Sequence, residues 1–115
     1  MKMYGLTQCG TVQKARAWLD TRGQAYDFHD FKSQGVTREQ IEVWLAQVPW
    51  ERLCNRAGLT WRALPAERKE AVTGPAQAIE LMIEKPSLIK RPVLEKDGQV
   101  ELGFSEKRYA ALFGV

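Results

Sequence analysis

Cysteine is scarce in this chain, and histidine scarcer: two and one in 115 residues. Cys9 and Cys54 cannot build the disulfide framework of a small secreted domain. With a lone histidine, His29, they do not make a metal ligand set either. Long hydrophobic runs are absent as well. No stretch approaches the roughly 18 apolar residues a membrane span requires, and Met1–Tyr4 leads into patterned sequence without a secretory leader. The expectation is a cytoplasmic protein with free thiols, no metal and no membrane contact. Charge of one sign is not in excess. Seventeen Lys and Arg against 14 Asp and Glu leave +3, which is too little to imply nucleic acid, and no basic stripe accompanies the tryptophans. What remains is an ordinary globular composition, 44% hydrophobic and 27% charged. The length fits one sizeable core and not two.

Hydrophobic spacing divides the chain into a strand–helix–strand start, a helical middle and a hairpin–helix end. Lys2–Gly5 reads as a short strand. Val12, Ala15, Trp18 and Leu19 share one face of a helix over Gly10–Arg22, Trp18 falling toward a flank, and Gly23 stands where a helix-ending glycine belongs. Ala25–Asp30 alternates like a half-buried strand, so the opening is a βαβ unit with parallel outer strands. Thr37–Gln40 fits a capping box, with Val36 and Ile41 spaced as a hydrophobic staple. Trp44, Trp50 and Trp61 are packing residues of this middle region. Asn55–Leu64 reads as irregular, Pro65–Val72 and Pro75–Lys85 as helices. Asp97-Gly98 joins two strands, Pro92–Lys96 and Gln99–Gly103, as a two-residue hairpin turn. Ser105 caps the last helix, and Phe104 is placed to staple onto Tyr109.

Cys9 falls between the first strand and the first helix. A sulfur there meets unpaired N–H groups and the positive end of the helix dipole, and both favour thiolate. Thr11 could contribute its hydroxyl, and Gly10 room for another backbone. The motif is C-G-T-V, so the second cysteine of C-x-x-C is missing and the reducing partner has to be Cys54 or an external thiol. Cys54, in Leu53-Cys54-Asn55, suits a buried small hydrophobe. Arg91-Pro92 at a strand entrance is a candidate cis peptide. Arg91 is either a charged fork aimed at an anion or thiolate, or a solvated residue. Lys14 is either an influence on the thiol or solvated. His29 reads as a structural polar group, since a general base would have to face Cys9.

Y-G-L-T-Q-C-G-T-V-Q-K-A at the start, N-R-A-G-L-T-W-R in the middle and P-S-L-I-K-R-P-V-L late resemble the arsenate-reductase-like (ArsC/Spx) family. F-H-D-F and G-F-S-E-K-R-Y make the chain most similar to its small YffB-type branch. The resemblance runs over essentially the whole sequence. It implies an α/β, thioredoxin-like (glutaredoxin-like) fold: one domain, 1–115, with a mixed sheet and a helical insertion at about 34–86. It implies Cys9 as the redox cysteine, Arg91 before the cis-proline, and Arg56 as a further site arginine. Gly10, Thr11, Lys14, Lys90 and Pro92 fall on the substrate or glutathione side.

Three departures shape the functional expectation. Gly5 stands where glutaredoxin-coupled arsenate reductases have a histidine. Gly103-Phe104-Ser105-Glu106 lacks their arginine after the hairpin, and Val12 occupies the second position of the C-x-x-C common in Spx-type regulators. The expectation is therefore a monomeric glutathione-dependent thiol reductase with a single redox-active cysteine, acting on a thiol-disulfide or oxyanion substrate. Glutathione would be co-substrate, a glutaredoxin a further reducing partner, and no cofactor would be bound. The alternatives are an Spx-like regulator that binds RNA polymerase, and an arsenate reductase.

Overall fold

A computed structural model describes all residues, 1–115. The chain forms two compact units, Met1–Asp30 with Arg91–Val115, and Phe31–Lys90.

The first unit holds β1 (Lys2–Gly5), α1 (Gly10–Thr21), β2 (Asp27–Asp30), β3 (Val93–Lys96), β4 (Gln99–Leu102) and α8 (Glu106–Phe113), the six intervening helices belonging to the second unit. Its four strands are ordered β2-β1-β3-β4. β1 and β2 are parallel, as the βαβ reading requires, while β3 is antiparallel to both β1 and β4. Alternation along the strands sorts side chains onto two faces. Met3 and Leu94 are register partners, both fully buried in a cluster with Val12, Ala15, Trp18, Leu19 and Tyr109. One face thus packs under α1 and α8. On the opposite face Tyr4 pairs with His29 across the parallel ladder, ring centroids 4.9 Å apart. The Tyr4 hydroxyl there donates to Glu95 (3.0 Å). His29 therefore has a ring partner in the sheet.

α1 ends through a Schellman arrangement: Gly23, at φ +67°, donates to Asp20 O and Gln24 donates to Leu19 O. Glycine adopts that left-handed conformation without a Cβ penalty. Trp18 is a core residue and not a flank one. It lies edge-on to Tyr109 (5.6 Å) and against Phe113 (5.4 Å), because α8 covers the side of α1 that periodicity alone leaves open. The hairpin turn forms at Asp97 and Gly98, both with positive φ. Ser105 Oγ accepts from Arg108 N, and Phe104 packs edge-on to Tyr109 at 4.7 Å, so cap and staple both form.

The second unit contains α2 (Phe31–Gln34), α3 (Arg38–Leu45), α4 (Trp50–Leu53), α5 (Leu59–Arg62), α6 (Ala66–Glu70), α7 (Pro75–Glu84) and a 3₁₀ turn, Pro86–Leu88. The Thr37/Gln40 capping box is complete in both directions. Trp44 is fully buried and meets Phe31 at 6.3 Å, which draws Phe31 into this unit. At the other end, Asn55 N donates to Leu88 O (2.7 Å), Lys90 N donates to Leu53 O (2.8 Å), and Cys54 bridges Ile89. These long-range bonds tie the end of the unit, up to Lys90, back to Leu53–Asn55. α4 and α5 are single turns within segments too short for periodicity to register.

Candidate functional site

The topology assembles the site. Because β3 runs antiparallel to β1, its first residues lie at the carboxyl end of β1, where the chain turns into α1. Cys9 and Arg91-Pro92, 82 positions apart in sequence, meet there. The Arg91–Pro92 peptide is cis, as the sequence suggested.

Cys9 is the N-cap of α1, with extended backbone (φ −76°, ψ 124°) and a half-buried side chain. Its N–H donates to Leu6 O (3.1 Å), and the Gln13 side chain donates to Thr7 O (3.0 Å), tying down the loop before it. The sulfur makes no short cap hydrogen bond of the kind a serine oxygen makes. It is nevertheless faced by the N–H groups of Val12 and Thr11 and by the Arg91 side chain. These are the third and second helical positions, the donors an N-cap side chain ordinarily serves. Burial pushes the Cys9 thiol up. The Val12 N–H, the hydrogen bond and charge of Arg91 and the Thr11 N–H together outweigh it, so the thiol is held below its ordinary value.

The other expected site residues fall as follows. Thr11 reaches the sulfur through its main-chain N–H and not the hydroxyl, because a side chain at the second helical position projects outward while its amide faces the cap. Gly10 is not approached by any backbone, since a Cβ added there meets nothing within 4 Å. The position is open to solvent. Lys14 is exposed on α1. Pro92 is buried, and its carbonyl accepts from Gly103 (2.9 Å), which commits that oxygen to the hairpin. Arg56 and Lys90 belong to the second unit. The Arg56 guanidinium lies 5.2 Å from the Trp50 ring, and its charge acts on Cys54. Lys90 is exposed, with its N–H on Leu53 O.

Cys54 is fully buried, as expected of a small hydrophobe. Burial pushes its thiol up, and the Arg56 charge only partly offsets this. Sequence reasoning overlooked Val12 as a site residue, treating it as the place of a missing cysteine. Counting cap positions from Cys9 would have found its amide.

Residues 4–112 match the ArsC family. The structure is similar to that of a YffB protein, with 48% identity, a TM-score of 0.91 and 96% of each chain covered. It is also similar to an arsenate reductase (ArsC) related protein from Brucella melitensis: 45% identity, TM-score 0.76, 99% of this chain and 94% of that one. An uncharacterized protein of Haemophilus influenzae is 34% identical over 111 residues, 96% of each chain. Among these helices none is long and apolar enough to cross a membrane. A capping cysteine beside a cis Arg-Pro peptide, on a mixed four-stranded sheet with a helical insertion, thus belongs to an arsenate-reductase-related fold, and the chain is a member of the ArsC family.

Proposed function

We propose that this protein is a glutathione-dependent thiol reductase that works through one cysteine. The observation that carries the reading is Cys9 at the start of α1, favoured as thiolate by Arg91 and two helix N–H groups, with Val12 and no second cysteine in that turn. Such a thiolate is a nucleophile without an internal resolving partner.

For a disulfide substrate the steps balance with glutathione alone. The Cys9 thiolate attacks one sulfur, the substrate S–S bond breaks, and the leaving thiolate departs with the electron pair and takes a proton from solvent. Glutathione thiolate then attacks the Cys9 sulfur, releasing the second substrate thiol and leaving a Cys9–glutathione mixed disulfide. A second glutathione attacks the bound glutathione sulfur and frees Cys9 as thiolate. Two glutathiones leave as one glutathione disulfide, and the substrate gains two electrons. A glutaredoxin can take the place of the second glutathione. Arg91 stabilises the Cys9 thiolate and attracts a glutathione carboxylate. Lys14 adds positive charge, and open Gly10 and exposed Thr11 admit the tripeptide.

Intact mass of the protein after oxidised glutathione is added tests this reading. The expected result is a single glutathione adduct, mapped to Cys9. Absence of an adduct overturns it. Arsenate reduction is a second reading, favoured by the similarity to the Brucella melitensis protein. It is tested with arsenate, glutathione and glutaredoxin together, where turnover would make the oxyanion the substrate. Recovery of RNA polymerase subunits at stoichiometric level would favour the regulator reading.

A further inference from the structure

Two glycines flank Cys9, and their surroundings are opposite. Gly10 faces open space. Gly5, buried at the end of β1, is filled from above: a Cβ placed there would lie 2.8 Å from Val12 Cγ2 and 3.3 Å from Cγ1. Real Cβ atoms do not tolerate the shorter distance, so the Val12 isopropyl group occupies the space a side chain at position 5 would take. Valine is branched at Cβ and held to essentially one rotamer in a helix, so it cannot swing aside. The rest of Val12 is fully enclosed, in the cluster with Met3, Ala15 and Leu19. Its own N–H is one of the donors facing Cys9.

We infer that Gly5 is a positioning residue for the Cys9 thiolate, acting through Val12. The notch in β1 seats the Val12 side chain, and that seating sets where the Val12 N–H points at the sulfur. Val12 is the third helical position after the Cys9 cap, and Cys9 itself packs against the cluster that holds Val12. A displaced Val12 therefore moves the helix start that faces the sulfur, and such N–H groups lose strength steeply as alignment is lost. Packed interiors transmit displacements of this size and do not absorb them. The inference rests on the reading of Cys9 as the reactive thiol.

The test follows alkylation of Cys9 by iodoacetamide against pH in a Cys54→Ala background. Gly5→Ala pushes Val12 away, so the expected profile moves to higher pH and neutral alkylation slows about fivefold, part of the worth of one charge-assisted hydrogen bond. Val12→Ala empties the notch and moves the profile the same way. In Gly5→Ala/Val12→Ala only the Val12 Cβ remains near the added methyl, at an ordinary 3.6 Å, so the double variant returns to within about twofold of the parent, as expected for coupled neighbours. A parental profile in Gly5→Ala overturns the inference. If Gly5→Ala does not fold, Val12→Ala and the double variant decide: a parental profile in Val12→Ala, or no recovery in the double variant, overturns it too. A parent protein whose Cys9 titrates as an ordinary thiol instead removes the underlying reading of Cys9, and the inference with it.

Discussion

Cys9 and Cys54 are the same side chain at opposite kinds of helix end. Cys9 is the N-cap of α1, and Cys54 the C-cap of α4, its N–H bonded to Trp50 O. At the first, unpaired N–H groups and Arg91 favour the anion. At the second, burial favours the neutral thiol, and the chain's use of Cys54 is to fill space and bridge to Ile89. Both experience burial, but only Cys9 has donors enough to overcome it. The opposite directions of the two thiols follow from their surroundings and not from the residue type.

The largest break in that comparison is expected from exchanging the sulfurs. Cys9→Ser should lower glutathione-dependent reductase turnover by on the order of a thousandfold or more, whereas Cys54→Ser should leave it nearly unchanged. Steady-state kinetics with a glutathionylated or low-molecular-weight disulfide checks both, and equal losses would erase the distinction. The second unit answers differently, through stability. Leu53→Ala, a fully buried neighbour of Cys54, should cost about 2–5 kcal/mol in urea unfolding.

Arg91→Gln sharpens the electrostatic half. It removes a charge and weakens a hydrogen bond at Cys9, so the alkylation profile should move to higher pH and the neutral rate should fall roughly tenfold. The sign of the linked stability is opposite for the two thiols. The folded state holds Cys9 below its ordinary value of 9.0, so its contribution is present above that value and is lost as pH falls through the folded midpoint. Cys54 is held above 9.0, so its contribution is present below that value and is lost as pH rises through its own folded midpoint. Urea midpoints across roughly pH 6 to 11 should show Arg91→Gln flattening the first limb only. The smallest effect is within the first unit's core. The Tyr109 hydroxyl is buried without a hydrogen-bond partner, so Tyr109→Phe should raise stability by up to about 1 kcal/mol. A loss measured by thermal unfolding would mean that the hydroxyl is satisfied in solution.

Elements with strong local signals were legible from residues alone. The face of Val12, Ala15, Trp18 and Leu19, the Thr37/Gln40 capping box, Asp97-Gly98 and Ser105 each follow from interactions within a few positions. Short pieces were not. α2, α4 and α5 are held by contacts from elsewhere in the chain, such as Thr60 Oγ1 with Ser87 Oγ (3.0 Å). Cys9 could be picked out as an N-cap thiol, but for Thr11 only the hydroxyl was weighed, and it is the amide that acts. Arg91 could be singled out only as one of two alternatives.

The sequence by itself determined the caps at Gly23, Thr37 and Ser105, the hairpin, the place of Cys9 and the want of a second thiol in its turn. Hydrogen bonds of that kind close over three to five residues, so local chemistry is enough. Tertiary structure decided which distant groups meet the sulfur. The antiparallel β3 brings Arg91 to the end of β1, and the bare Cα of Gly5 admits Val12. Both depend on strand direction and on volume across a packed interface, which no short stretch of sequence records.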